Sequence, residues 1–241
     1  MAAARGVSAK GKATAPLRGR WLVGLHERGG RLKRRQDMPA EAFWSAAELR
    51  RLAEQLGDGF GVLFVALSYR WLSRQHPDPD AFHLAIVAAV AKLYLSLAGD
   101  PFDWKKSPLL RAFKSAGLDE PADFALFWDF GSLHQPPRLG SDDRLFKAGL
   151  RASNIWYGHA HSVCWMQSEL PEGFAGAAYD VSGWCFVEAA ISACVKSGAN
   201  RLDLGKRTKE AMDFVSSLLR VEPGKRLSAA NALTRAFSAS P

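Results

Sequence analysis

Ser182-Gly183-Trp184-Cys185-Phe186-Val187-Glu188 sets a lone carboxylate three residues after a Trp-Cys pair, on what reads as the first turn of an apolar helix. The positive end of a helix favours an ionised carboxylate, so Glu188 is expected to stay charged at little cost and to be well placed to act on a ligand. Trp184 beside it either walls a pocket or, as the first expectation for a tryptophan opening an apolar helix, anchors the core. Arg70 follows an apolar run, where its planar fork can meet a pyrophosphate or pair with Asp129. Asp129 can bind sugar hydroxyls or satisfy loop N–H groups. Ser132, His134 and Gln135 come next, in a loop stiffened by Pro136 and Pro137, and can line the same crevice. No nucleophile-elbow glycines surround Ser132, which argues against Ser-His-Asp hydrolysis. His159 and His161 share a face at a strand start, but two histidines make a weak metal signal.

The elements that must hold these residues alternate. Pro39 to Gly57 reads as an amphipathic helix, and Gly61 to Leu67 as a strand covered on both faces. A helix over Ala81 to Ala98 is expected with Asp80 as its N-cap, then a shorter one over Pro108 to Ala116 capped by Ser107. Phe124 to Phe130 reads as a second buried strand. Asp142 to Tyr157 reads as a helix in which Gly149 weakens continuity. Ser162 to Gln167 is the third strand, and a helix follows from about Trp184 to Val195. Three strand–helix alternations predict an α/β fold in three layers, a mostly parallel sheet flanked by helices. Ligands of such sheets bind at the carboxyl ends of the strands, where Ser68 to Trp71, Asp129 to Gln135 and the approach to Gly183 all fall.

The chain has 241 residues, 48% hydrophobic content and a net charge of +8. Its basic excess is concentrated in the first 35 residues, where ten Arg and Lys face only Glu27. That distribution speaks against a nucleic-acid-binding domain and predicts a basic, disordered tail over 1–38. Residues 1 to 20 also have the composition of an organelle transit peptide, so a cytoplasmic and an organellar location both stay open. Cys164, Cys185 and Cys194 form no CxxC and leave one unpaired, which fits a reducing compartment. The longest apolar run, Leu84 to Ala98, is too short to span a bilayer and reads as a core helix.

Four blocks appear in order: FVALSYRW at 64–71, ALFWDFGSLHQ at 125–135, HSVCWMQS at 161–168 and YDVSGWCFVE at 179–188. Together they resemble the heterokaryon-incompatibility (HET) domain, and the same stretches are similar to a TIR domain. Ser68-Tyr69-Arg70 and Trp184-Cys185-Phe186-Val187-Glu188 match the segments that in enzymatic TIR domains end the first strand and carry the catalytic glutamate. Leu72 stands where the HET block closes on glycine, Leu133 where it has cysteine, and Ser182 where it has arginine.

The resemblance implies a TIR/flavodoxin-like fold over 39–200 and a role in stress, self/non-self or cell-death signalling. It also implies cleavage of the nicotinamide–ribose bond of NAD, with Glu188 catalytic and Ser68, Arg70, Asp129, Ser132, Gln135 and Trp184 at the substrate. NAD is then a substrate and no cofactor or metal is expected. Nicotinamide leaves as a neutral base from a cationic substrate, so one carboxylate facing an oxocarbenium-like ribose can suffice. The alternative is a catalytically silent module of the same fold that self-associates through its helices. Residues 211–237 separately resemble the last two helices of a protein-kinase C-lobe, within a helical appendage over 201–241. No glycine-rich loop, HRD-type loop or DFG segment accompanies them, so kinase activity is not expected.

Overall fold

Phe-Val-Ala-Leu-Ser-Tyr at 64–69 forms the central strand, β2, and every residue after Phe64 is buried, as a run without polar alternation requires. The computed structural model describes residues 13–96 and 107–205. Around β2 the chain sets β1 (Leu17–Arg18), α1 (Gly19–Glu27), α2 (Ala46–Leu56), α3 (Phe82–Tyr94), α4 (Pro108–Ser115), β3 (Ala125–Phe127), α5 (Asp129–Ser132), α6 (Asp142–Gly158), β4 (Val163–Gln167), α7 (Gly183–Val195) and β5 (Arg201–Asp203). The sheet order is β1-β3-β2-β4-β5; β1 runs antiparallel to β3 and the other pairings are parallel. The described residues are thus mixed α/β, with a five-stranded, mostly parallel sheet.

Period-two alternation divides the side chains of the strands between two layers. Val65, Leu67, Leu126 and Trp165 enter the larger core with Leu22 of α1, Leu52 of α2, Leu84 of α3 and Phe113 of α4. Ala66, Phe127 and Cys164 point the other way, against Tyr157 and Trp156 of α6 and Ile191 of α7. The chain steps from β2 outward to β3, then crosses back over β2 to β4. The sheet therefore reverses direction between β2 and β4, and at the strands' carboxyl ends such a reversal opens a crevice.

Several boundaries differ from expectation, each for a local reason. The helix expected from Pro39 begins at Ala46, because Ser45 and Glu48 form a reciprocal capping box: Ser45 Oγ accepts from Glu48 N–H at 3.1 Å and Glu48 Oε2 from Ser45 N–H at 2.8 Å. Asp78, not Asp80, ties down the start of α3, accepting from the N–H groups of His83 and Leu84. Ser107 caps α4 as expected. The second strand stops at Phe127 and the chain turns at once into α5.

The tail expected over 1–38 is, from residue 13 on, part of the domain. Ala15, Leu17 and Leu22 are fully buried. Several basic residues there are committed: Arg18 pairs with Glu48 at 2.7 Å and lies over the Trp44 ring, and Arg20 donates to the Ala122 carbonyl. Arg35, buried, donates through Nη1 to the carbonyls of Ala13 and Ser132. Gly149 leaves α6 unbroken and lets this segment approach, since a Cβ there would meet the Ala13 carbonyl oxygen at 2.5 Å. The boundary expected at 200 also moves, because β5 at 201–203 pairs with β4. The kinase-like stretch 211–237 lies outside the described residues. Among those residues no helix is long and apolar enough to cross a membrane.

Candidate functional site

A cleft of about 920 Å³ opens at the carboxyl ends of β2 and β3 and beside the start of α7. Two carboxyl groups, Asp129 and Glu188, line it together with Tyr69, Trp71, Tyr157 and Trp184, and Arg34, Arg70, Arg74 and Arg138 border it. An apolar wall with a few convergent polar groups is the usual make-up of a small-molecule site.

Asp129 is the first residue of α5, and both of its oxygens accept hydrogen bonds. Oδ1 accepts from the Tyr69 hydroxyl at 2.7 Å and from Phe130 N–H at 2.6 Å, and Oδ2 from Trp71 Nε1 at 3.0 Å. Tyr69 and Trp71 are two residues apart, so the extended chain at the end of β2 sends both to one side. Burial pushes the Asp129 pKa up, and these hydrogen bonds act against the shift. No ion pair joins Arg70 to Asp129 among the described residues. Arg70 instead donates from Nε to the Ala177 carbonyl at 3.2 Å, on the loop before α7.

Glu188 belongs to the second turn of α7, which starts at Gly183, rather than to the first. The helix-end field fades within one turn. Burial therefore governs: it pushes the Glu188 pKa up to about 8, opposed by a hydrogen bond with Ser68, reinforced by the charge of Asp129 and opposed again by a hydrogen bond with Tyr157. The carboxyl expected to remain ionised at little cost is one that the fold holds largely protonated at neutral pH. Helical spacing explains its direction, since Cys185, Glu188 and Ser192 form one stripe toward the sheet and Cys185 and Ser192 are buried. Trp184 is one step off that stripe. It is 67% exposed and lines the cleft, so the expected core anchor is a wall residue.

Arg70, Asp129, Gln135, Trp184 and Glu188 thus meet at the cleft, whereas two serines do not line it. Ser68 lies on the β2 face opposite Tyr69, fully buried, and reaches Glu188 from behind. Ser132 closes α5 with its hydroxyl accepting from Trp128 N–H at 3.1 Å and its carbonyl held by Arg35. Gln135 is 6% exposed, and its side-chain amide donates to the carbonyls of Asp129 and Leu133, so it braces the loop it was expected to serve. The His134 ring is buried and lies 3.6 Å from Asp142. The rings of His159 and His161 are 5.8 Å apart, beside Phe60. Among the described residues no group of three His, Cys, Asp or Glu is arranged to hold a metal ion.

Sequence reasoning passed over Tyr157 and Tyr179. Tyr157 donates to the Leu67 carbonyl at 3.0 Å and also bonds with Glu188; Tyr179 donates to Ser68 Oγ at 2.7 Å. A tyrosine in a helix or a loop carries no sequence signal of this kind, although Tyr179 opens the YDVSGWCFVE block. Arg138 was missed as well; its guanidinium lies 3.5 Å from the centre of the Phe146 ring at the far end of the cleft. No protein-family model matches this chain, and neither the curated proteins nor the solved structures yield a match.

Proposed function

We propose that the cleft binds a nucleotide such as NAD and that Glu188 is the residue on which cleavage of its nicotinamide–ribose bond depends. The observation that carries this reading is the pairing of Glu188 with Asp129 in one aromatic-walled cleft bordered by arginines. Arginines suit a pyrophosphate, exposed Trp184 and partly buried Trp71 offer flat faces to a ring, and two carboxyl groups suit a ribose that becomes cationic. Glu188 gives up its proton to act on that sugar, and a developing positive charge beside it favours the loss.

Further support comes from the strand order. Taken alone, the parallel strands run 2-1-3-4, the flavodoxin-like arrangement expected of a TIR-like fold, and the cleft lies at the carboxyl ends of the first two of them and beside the helix that follows the third. The four blocks that resemble a HET domain fall on β2, on β3 with α5, on β4, and on the loop leading into α7. A reducing intracellular compartment suits the buried thiols of Cys164 and Cys185.

The test is incubation of the purified protein with NAD, following free nicotinamide for the wild type and for Glu188→Gln. A loss of at least about 100-fold is expected on removing the carboxyl. Equal release by both proteins would end the assignment.

One observation favours the second reading, a silent module of the same fold that self-associates. Phe186 and Val195 of α7 and Ile155 of α6 are 62%, 44% and 66% exposed, large apolar side chains left in solvent on two helices that pack together. Under that reading no nicotinamide is released, and light scattering finds a mass that grows with protein concentration.

A further inference from the structure

The cleft has an inner and an outer end, fixed by where two helices meet β2. Tyr157 of α6 donates its hydroxyl proton to the Leu67 carbonyl at 3.0 Å, and Cys185 of α7 donates from Sγ to the Tyr69 carbonyl at 3.3 Å. From there α7 runs back along the sheet, since Lys196, just past its end, donates to the Ser162 carbonyl before β4 at 2.9 Å. One helical turn, about 5.4 Å, nearly matches two strand residues, about 6.6 Å. Glu188, one turn after Cys185, therefore stands level with the Leu67 carbonyl and the Tyr157 hydroxyl, at the inner end. Gly158 agrees with this alignment, because a Cβ there would lie 3.3 Å from Ile191 Cγ2, one turn beyond Glu188. Arg70 follows Tyr69 and so stands one turn farther out, level with Cys185.

The wall that leads outward belongs to α6. Tyr157, Asn154, Leu150 and Phe146 line the cleft at helical spacing, and the eleven steps from Tyr157 back to Phe146 span about 16 Å. At the outer end Arg138 is seated on Phe146. Its guanidinium carbon is 3.5 Å from the ring centre, Nε donates to the His134 carbonyl at 2.9 Å, and Nη1 lies 3.8 Å from Asp143. One face of the guanidinium is covered by the ring, and the side chain keeps 20% of its surface exposed at the cleft. Nucleobases stack on guanidinium planes as they do on aromatic rings. From the inner end outward, Glu188, Arg70 and the Arg138–Phe146 pair follow the order of ribose, pyrophosphate and second base in a dinucleotide, and the span is longer than a mononucleotide fills.

We propose that Arg138, seated on Phe146, is the stacking platform for the distal base of a dinucleotide, so that this end of the cleft selects the adenosine half of the ligand. The subsite rests on the reading of the cleft as a nucleotide site, and it does not require that Glu188 cleave anything. The base lies on the guanidinium face turned away from Phe146. Because His134 and Asp143 already hold that guanidinium in place, little ordering of the arginine opposes binding.

The experiment is calorimetry of the full chain with ADP-ribose, AMP and nicotinamide mononucleotide. Arg138→Lys keeps the charge without the plane and should weaken ADP-ribose and AMP about tenfold, the worth of one stacked base. Nicotinamide mononucleotide, bound at the inner end, should stay within about twofold of wild type. Phe146→Leu keeps the apolar packing without the ring and should act in the same direction on the same two ligands. Full AMP affinity in folded Arg138→Lys, an equal loss for nicotinamide mononucleotide, or a wild type that binds neither AMP nor ADP-ribose overturns the subsite. Losses confined to the two adenosine ligands in a protein that releases no nicotinamide uphold the subsite and reject the cleavage reading; nicotinamide release with the KM for NAD unmoved in both variants does the reverse.

Discussion

Glu188 shares its cleft with the charge of Asp129, which makes ionisation of the glutamate harder. The two differ in their partners: three donors converge on Asp129, whereas Glu188 has two hydroxyls and a large share of apolar surroundings. Such a pair separates naturally into one ionised and one protonated member. Asp129→Asn removes the repelling charge, so the Glu188 midpoint should fall, read by pH titration of 13C-carboxyl-labelled glutamate. It should also cost about 1 to 3 kcal/mol in urea unfolding, because the amide NH2 meets donors where the carboxylate oxygens accepted.

Burial also gives stability an unusual pH dependence. Glu188 rises from an ordinary 4.5 to about 8, and Asp123, pushed up mainly by burial, rises from 3.8 to about 6. The folded state thus keeps protons that the unfolded chain releases, so the contribution is full in acid and is lost as pH climbs through 6 and then 8. Glu48 and Glu120 are shifted downward and act oppositely, losing their contribution only in strong acid. Thermal unfolding from pH 4.5 to 9 should show a falling limb. Glu188→Gln should flatten it, gaining about 2 kcal/mol over wild type at the alkaline end after allowance for solvent access.

Arg70 has only its Nε tied to the Ala177 carbonyl, which leaves its two terminal nitrogens for a ligand. Arg70→Ala should weaken ADP-ribose binding about tenfold by calorimetry, the loss of one charge-assisted contact. Arg70→Lys keeps the charge but not the fork and should recover only part of it.

Gly149→Ala tests whether the segment from residue 13 belongs to the domain. The new methyl would stand 2.5 Å from the Ala13 carbonyl oxygen and 2.6 Å from Leu133 Cδ2. Overpacking of this kind should cost about 1 to 3 kcal/mol. The Ala15 amide, which donates to the Ser132 carbonyl at 3.0 Å, should exchange with deuterium faster.

Strong local signals carried the reading of the fold. β2 and β4 are long enough for an apolar run to mark them, and Ser107-Pro108 declares the start of α4. β1 and β5 have two and three residues, too few to show a period, and β1 follows a basic stretch that resembles a tail. Ser45 with Glu48 is a readable cap, yet Pro39 draws the expected helix start seven residues too early. Arg70, Asp129 and Gln135 reach the cleft because they follow strand ends, which a sequence does reveal, and Trp184 and Glu188 reach it from the first two turns of α7. Which way Ser68 or Ser132 turns depends on register and on a four-residue helix, and both are settled only by tertiary packing.

Trp184 gives the molecule an optical consequence. Trp44, Trp128 and Trp165 are buried, whereas Trp184 is largely in solvent at the mouth of the cleft and Trp71 stands inside it. The emission of Trp184, isolated by subtracting a Trp184→Phe spectrum, should shift to the blue when a ring stacks there and displaces water. The chain thus carries an intrinsic indicator of occupancy, with which unlabelled compounds can be screened before any turnover is known.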